Sequence, residues 1–180
     1  IDANKLTELI RPKKEVDGFG SSSKYQVPVA QAVFLLLEST FKQTKKRGPF
    51  LNWLKPQKIV VIGKGETAGR PIIALLKQKG IKHIIIDSQT KNREKLIKSA
   101  DIIVSAVGKK ILSSKQIKKG AILIGVGLYT DGQGKLRGDF DDEDMAKVTS
   151  YYSPTPGGVG PVNVACLMEN LVKAAEHSTK

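Results

Sequence analysis

The sequence of 180 residues has little that supports disulfide or metal chemistry, since it contains one cysteine and two histidines. Cys166 cannot form an internal disulfide, and its apolar neighbours in a helical pattern favour a small buried side chain over a nucleophile. His83 falls in an apolar strand pattern and His177 in a charged tail, and neither has a cysteine at zinc-site spacing. We predict no bound metal and a reducing compartment, taken as the cytoplasm with a mitochondrion or other organelle left open.

Long hydrophobic runs are also missing. No stretch approaches the roughly 18 apolar residues of a membrane-spanning helix, and no signal-peptide pattern opens the sequence. We therefore expect no membrane partner. The first residue is Ile1 rather than methionine, from which we expect a processed chain or a fragment of a longer one.

Negative charge is scarce, because 17 Asp and Glu residues face 30 Lys and Arg residues, which gives a net charge of +13. This excess attracts anionic ligands in general. Nucleic-acid binding usually needs clustered cations with a supporting motif, and only residues 45–47 form a compact basic run. We expect no specific nucleic-acid partner, and a basic nucleic-acid-binding domain stays a hypothesis that rests on charge alone.

Apolar strand patterns alternate with helical patterns from Ile59 to Gly127. Four strand patterns rich in Ile and Val begin near residues 59, 81, 101 and 121, and a helical pattern follows each of the first three. Strands that are apolar throughout and separated by helices indicate a parallel sheet covered on both faces. We predict an α/β fold with a doubly wound parallel sheet of the Rossmann type.

The sequence after the fourth strand predicts a hairpin or surface loop and then an acidic segment. Residues 130–139 are rich in turn-forming glycine and aspartate. The carboxylates that follow show no ordered cation-binding loop, so we interpret them as a solvated acidic face. They are Asp139, Asp141, Asp142, Glu143 and Asp144.

Four segments organise the chain. Residues 1–26 are polar and rich in Gly and Ser, as in a linker, and residues 27–47 predict a long helix whose apolar face needs a partner. Residues 48–160 contain the predicted sheet. Residues 161–180 predict a final helix with Pro161 at its first position.

A glycine turn joins the first strand to the next helix in "VVIGKGETAGRP", which contains Gly63, Gly65 and Gly69. Glycines in this context let a phosphate group sit on the amides at a helix N-terminus. Three residues rather than the usual two separate the second and third glycines. The second strand ends at Asp87 and Ser88, about 20 residues on, where the adenine ribose of a dinucleotide should lie.

The choice between NAD and NADP is open from these residues. Asp87 favours NAD, because a carboxylate accepts hydrogen bonds from a ribose 2′-hydroxyl and repels a 2′-phosphate. Lys64 and Ser88 favour NADP, because an ammonium and a hydroxyl can bind the extra phosphate.

A second bare stretch of backbone occurs in "YSPTPGGVGPVNV", where Gly157, Gly158 and Gly160 lie between prolines just before the final helix. The glycines remove the Cβ atoms that would keep another molecule from the main chain, and the prolines fix the φ angles of the loop. The loop is therefore shaped for close approach, although a plain turn before a helix has the same composition.

Together, "GKGETAGRP" and "PTPGGVGP" resemble the bifunctional methylenetetrahydrofolate dehydrogenase/methenyltetrahydrofolate cyclohydrolase family. Two further stretches match in order, "KKEVDGF" at residues 13–19 and "GKLRGDFD" at residues 134–141. The resemblance runs from about Asp17 to Ala175. It implies the carboxy-terminal NAD(P)-binding part of that family, with residues 1–26 as a remnant of the folate-binding catalytic domain.

The resemblance also implies roles for individual residues. Asp17 would bind the pterin of a tetrahydrofolate derivative, and the second glycine loop would line the cleft beside substrate and nicotinamide through Gly157, Gly158 and Pro161. Gly63, Lys64, Gly65, Gly69, Asp87 and Ser88 would hold the phosphates and ribose of NADP, with NAD as the alternative. Leu128 and Asn163 would lie near the nicotinamide half. Without a partner domain, the long helix and the last helix would expose apolar faces, so we expect the chain to self-associate, as a homodimer.

Departures from the family pattern limit what the resemblance implies. The amino-terminal domain with its Tyr-x-x-x-Lys motif is absent from this sequence, so no catalytic residue is assigned and we expect the chain alone to be inactive. The family's Arg-Ser at the phosphate turn is Lys64-Gly65 here, and its Thr after the second glycine loop is Asn163. These changes raise an alternative hypothesis, a degenerate relative that serves as a non-catalytic binding module.

Overall fold

A parallel five-stranded sheet forms the centre of the computed structural model, which describes residues 7–178. The strands of the chain are β1 (Ile59–Ile62), β2 (His83–Ile86), β3 (Ile102–Ser105), β4 (Ile122–Gly125), β5 (Leu128–Thr130), β6 (Leu136–Gly138) and β7 (Tyr151–Tyr152). The central sheet has the order β2-β1-β3-β4-β7, and β5 and β6 form a separate antiparallel hairpin. The predicted doubly wound α/β fold and the predicted hairpin are therefore confirmed.

The register of the sheet brings four strand ends into one line. Ile62 pairs with Ile86 on one side and Ser105 on the other, and Ser105 pairs with Gly125. The loops that follow these strands consequently leave the same edge of the sheet. Ligands of open α/β sheets bind at this carboxyl edge.

Helices cover both faces of the sheet. They are α1 (Pro28–Gln43), α2 (Phe50–Leu54), α3 (Gly69–Gln78), α4 (Arg93–Lys98), a 3₁₀ turn (Ser114–Gln116), α5 (Asp142–Met145) and α6 (Val159–Ser178). Alternate residues of each strand point to opposite faces. Ile59 and Val61 accordingly pack with α1, α3 and α6, whereas Val60 and Ile62 pack with α4 and α5.

The long helix α1 finds its partner within the chain. We expected its apolar face to be exposed without a second domain, but Ala30, Val33, Leu37 and Phe41 are all buried. The face packs against α3 and α6. At its end Phe41 lies 5.3 Å from the ring of Trp53, on the short helix α2 that the sequence patterns missed.

The final helix α6 begins at Val159, two residues earlier than predicted. Its buried positions include Cys166, and burial raises the pKa of that thiol, as expected of a small packed side chain. The other face exposes four large apolar residues to between 51% and 56%, namely Val164, Met168, Leu171 and Val172. This helix therefore has one packed face and one uncovered apolar face.

The expectation of four strands in the sheet was wrong by one, because β7 adds a fifth at the edge beside β4. The sequence patterns predicted no strand at Tyr151 and Tyr152. Neither a membrane-spanning helix nor a group of three or more metal-ligating side chains occurs within residues 7–178.

Asn170 joins the last helix to the segment before α1, and its loss should destabilise the fold. Its side-chain amide, 3% exposed, donates to the carbonyl oxygens of Val16 at 2.9 Å and Gln26 at 3.0 Å. Asn170→Ala leaves both carbonyls without this donor, at a cost of about 1–3 kcal/mol in the free energy of unfolding. Urea titration measures it, with the exposed Asn52→Ala as the matched control. Equal losses in the two variants would contradict the assignment.

Candidate functional site

The glycine turn between β1 and α3 has a backbone that only glycine accommodates. Gly63 has a φ of +94°, and a Cβ there would stand 2.4 Å from the carbonyl oxygen of Ala106. A Cβ on Gly69 would stand 2.3 Å from the carbonyl oxygen of Gly63. The start of α3 therefore packs directly on the turn, as the sequence pattern predicts for a phosphate-binding loop.

Backbone amides of this turn are available to a ligand. The amide of Arg70 donates to the carbonyl of Gly65 at 2.9 Å, but the amides of residues 64–68 have no hydrogen-bond acceptor among residues 7–178. Unpaired amides beside a helix N-terminus form an anion site, because they supply donors and a positive dipole end. The turn fits a dinucleotide pyrophosphate in both shape and polarity.

A cavity of about 370 Å³ opens beside the turn at the carboxyl edge of the sheet. Five residues assigned from the sequence line it together, namely Gly63, Lys64, Gly65, Asp87 and Ser88. Gly69 stands behind the turn and shapes it. The structure thus brings the predicted phosphate and ribose residues to one place.

Asp87 and Lys64 form an ion pair at the end of β2. The ammonium of Lys64 lies 2.7 Å from the Asp87 carboxylate. The hydroxyl of Thr90 also donates to this carboxylate at 2.9 Å, and the amide of Gln89 donates at 3.0 Å. Chiefly through the hydrogen bond from Lys64, these donors lower the pKa of Asp87 to about 2. Asp87 is therefore charged at neutral pH. It is also paired with Lys64, although the sequence had suggested that Asp87 favours NAD and Lys64 favours NADP.

Two further cations line the same cavity. Arg93 is the first residue of α4, and Lys109 follows β3. Neither residue was predicted from the sequence, because neither lies in a glycine turn or in the compact basic run at residues 45–47. Their positions after the carboxyl ends of two parallel strands were the available signal.

Asp139 holds the loop that follows β3. Its carboxylate is fully buried and accepts hydrogen bonds from the hydroxyl of Ser105 at 2.6 Å and the amides of Val107, Gly108 and Lys109 at 2.9, 2.7 and 3.0 Å. The expectation that Asp139 belongs to a solvated acidic face was therefore wrong. A carboxylate with this many donors replaces its lost hydration with protein hydrogen bonds.

Three other carboxylates of that segment also make specific contacts. Asp141 accepts from the amide of Asp144 and caps α5. Asp144 accepts from the amide and hydroxyl of Ser114 at 2.8 and 2.7 Å, and Asp142 accepts from the amide of Thr155 at 3.1 Å. The segment fastens neighbouring loops to one another.

The second glycine loop borders a separate, mostly apolar cleft of about 230 Å³. Gly157, Gly158 and Pro161 line it, as do Leu128 on the hairpin and Asn163 on α6. A Cβ on Gly158 would stand 2.5 Å from the carbonyl oxygen of Pro154, whereas one on Gly157 would meet no atom within 4 Å. The backbone at Gly157 is therefore bare toward the cleft.

Asp17 lies apart from both cavities. It is exposed on the segment that Asn170 holds through the carbonyl of Val16. Asn170 is seven residues beyond Asn163 along α6, a rise of about 10 Å. The structure consequently groups the predicted residues into a dinucleotide cavity, an apolar cleft and an isolated carboxylate.

Comparison with known families gives one decisive match. Residues 51–179 match the model of the tetrahydrofolate dehydrogenase/cyclohydrolase NAD(P)-binding domain. The chain belongs to this family. The match runs from α2 through α6 and contains both glycine loops, so the resemblance found in the sequence is confirmed.

Curated relatives share the match over nearly the whole chain. The bifunctional protein FolD of Lachnoclostridium phytofermentans is 37% identical over 178 residues, which are 98% of this chain and 62% of the relative. FolD of Mycoplasma genitalium is 39% identical over 173 residues, which are 95% of this chain and 60% of the relative. The chain therefore spans about three fifths of the length of these relatives.

Solved structures of the family have the same fold. The bifunctional FolD dehydrogenase/cyclohydrolase of Campylobacter jejuni superposes with a TM-score of 0.85 at 30% identity, covering 98% of this chain and 63% of that one. The Trypanosoma brucei dehydrogenase-cyclohydrolase, solved with NADP and an inhibitor, gives a TM-score of 0.85 at 26% identity, covering 100% and 64%. The family match does not favour the alternative hypothesis of a degenerate binding module.

Gly69→Ala should destabilise the protein by about 2 kcal/mol, because the new Cβ collides with backbone atoms of Gly63 and Lys64 that no side-chain rotation can relieve. Gly65→Ala is the matched control, since a Cβ there meets nothing within 4 Å. Urea unfolding of both variants measures the difference. If Gly69→Ala is as stable as the control, the backbone at Gly63 and Lys64 can move aside without cost, which would contradict the prediction.

Asp139→Asn should cost about 3 kcal/mol or more, because the substituted NH₂ group faces amide donors and the charge that they stabilise is lost. Asp17→Asn provides the comparison, since it removes an equal charge from an exposed side chain. Unfolding free energies of the two variants are to be compared. Losses of the same size would mean that Asp139 does not anchor the loop.

Proposed function

We propose that this chain is the NAD(P)-binding part of a bifunctional folate one-carbon enzyme, with NADP as its dinucleotide and NAD as the alternative. The unpaired amides of residues 64–68 carry this proposal, because they form an anion site at the carboxyl end of β1. The description of the family and the NADP complex of the Trypanosoma brucei relative support it.

Each group of residues has a role in this proposal. The turn at Gly63 and Gly65 receives the pyrophosphate on its amides, and Gly69 lets α3 close on the turn. Asp87 and Ser88 face the adenine ribose from the end of β2. Leu128 and Asn163 line the apolar cleft on the nicotinamide side. When bound, the nicotinamide supplies hydride-acceptor chemistry.

The apolar cleft orients the reacting groups. Gly157 and Gly158 keep side chains out of the space where a substrate meets the backbone, and Pro161 fixes the first turn of α6 beside it. Among residues 7–178, the lining of the cleft contains no ionisable side chain, so its role in this proposal is to position the reactants and exclude water. We propose Asp17 as a contact to the pterin, supplied from outside the cleft.

The proposed parent activity needs more than this chain. From the family resemblance we propose that it comprises oxidation of 5,10-methylenetetrahydrofolate to the methenyl form and hydrolysis of that product to 10-formyltetrahydrofolate. The name of the Campylobacter jejuni relative, a methylenetetrahydrofolate dehydrogenase/cyclohydrolase, supports this proposal. No proton-transfer group stands in the cleft of the described structure, which supports the expectation that the chain alone is inactive. A catalytic domain with a lysine would have to supply this group.

The uncovered face of α6 is where we place that domain. Val164, Met168, Leu171 and Val172 are exposed along the helix that begins at the glycine loop and passes the segment of Asp17. Apolar patches of this kind usually have a partner. In the chain alone, the same patch would promote the self-association that we expect, and in the parent protein we propose a homodimer. A cytoplasmic location fits the single buried cysteine.

Calorimetric titration with NADP and with NAD tests the proposed binding, and both should bind at one site per chain. Gly65→Asp should weaken both by about tenfold or more, because a carboxylate at the turn repels the pyrophosphate. Gly132→Asp in the hairpin is the matched control, since a Cβ at either glycine meets nothing within 4 Å and the added charge is equal.

Two results would contradict the proposal. Absence of binding of either dinucleotide to the unaltered chain would remove the cofactor assignment. Turnover of 5,10-methylenetetrahydrofolate by the purified 180-residue chain would remove the claim that catalysis needs another domain.

A further inference from the structure

Arg93 is a cation in the dinucleotide cavity without a partner of its own. It is the first residue of α4, immediately beyond the loop that carries Asp87 and Ser88, and it lines the same cavity. Its guanidinium has neither an ion pair nor a hydrogen bond within residues 7–178. The Arg93 side chain is half-buried, so it has already lost part of its hydration shell in the unliganded protein.

Lys64, the cation next to the glycine turn, is in a different position. Its ammonium is 2.7 Å from Asp87, and the hydroxyl of Thr90 and the amide of Gln89 hold that carboxylate in place. A phosphate that approached Lys64 would have to displace a fixed carboxylate and then lie beside its negative charge. The ion pair therefore makes Lys64 a poor receptor for a dianion.

The balance of charge in the cavity still favours a dianion. Its charged lining residues are Lys64, Arg93 and Lys109 against Asp87, which gives three positive charges and one negative charge. One cation cancels Asp87, and two remain. A phosphate monoester carries about two negative charges at neutral pH.

The sheet order separates the two remaining cations. Lys109 follows β3 and Arg93 follows the loop after β2, with β1 between those strands. Neighbouring strands are about 4.8 Å apart, so β2 and β3 are about 10 Å apart. Arg93 and Ser88 both reach the cavity from the β2 side, and Lys109 reaches it from the β3 side.

We infer that Arg93 is the residue by which this chain selects NADP over NAD. This inference rests on the proposed dinucleotide binding. The guanidinium of Arg93 and the hydroxyl of Ser88 donate to the ribose 2′-phosphate, while Lys64 stays paired with Asp87. A guanidinium suits this role, because its planar fork binds two phosphate oxygens at once.

The test compares Arg93→Gln with Lys95→Gln by calorimetry. Both changes remove one positive charge from α4, but Lys95 does not line the cavity. NADP, NAD and 2′-AMP are titrated into each variant and into the unaltered chain, and a urea midpoint checks that each variant is folded. Arg93→Lys is added to separate charge from fork geometry.

Arg93→Gln should weaken NADP and 2′-AMP by about tenfold or more while NAD changes by less than about twofold. The affinity of Arg93→Lys for NADP should lie between those of Arg93→Gln and the unaltered chain. Lys95→Gln should bind all three ligands as the unaltered chain does. The inference is overturned if Arg93→Gln weakens NADP no more than Lys95→Gln does, or weakens NAD by the same factor. If the unaltered chain binds no dinucleotide, the proposed function falls, and this inference falls with it.

Discussion

The buried carboxylate of Asp139 is the interaction on which both cavities depend. It follows the hairpin strand β6 but accepts four hydrogen bonds from Ser105 and the loop after β3. That loop places Lys109 in the dinucleotide cavity, and the hairpin places Leu128 in the apolar cleft. One side chain therefore fixes the two sites relative to each other, at a point where no strand pairing connects them.

Much of the fold could be predicted because its determinants are local. Ile and Val runs separated by amphipathic helices specify a parallel sheet, and glycines at a strand-helix junction specify a close turn. The strand β7 was not predicted, because two tyrosines are too short a stretch to show an alternating strand pattern. They form a strand only because β4 has a free edge with which they pair. The packing of α1 against α3 and α6 was also not predicted, because sequence periodicity shows that a helix has an apolar face but not which element covers it.

The residues of the candidate site also divide into those that the sequence predicts and those that it does not. Residues with a backbone role, such as Gly63 and Gly69, were identified because a missing side chain at a fixed spacing is visible in the sequence. Arg93 and Lys109, whose role is electrostatic, were not identified, because that role depends on where the folded sheet places them. Lys64 and Asp87 seemed to be competing signals for two cofactors, whereas the structure makes them a single pair. In the sequence, nothing marked Arg93 as a site residue among the neighbouring basic residues Lys91, Lys95 and Lys98.

The bonds from Asn170 to Val16 and Gln26 have a mechanical consequence. They join the segment before α1 to the last helix, so this segment is held on the side of the sheet where α1 and α6 lie together. Because both bonds come from one buried side chain, separating the segment from α6 would break them together, so the two should open as one cooperative unit.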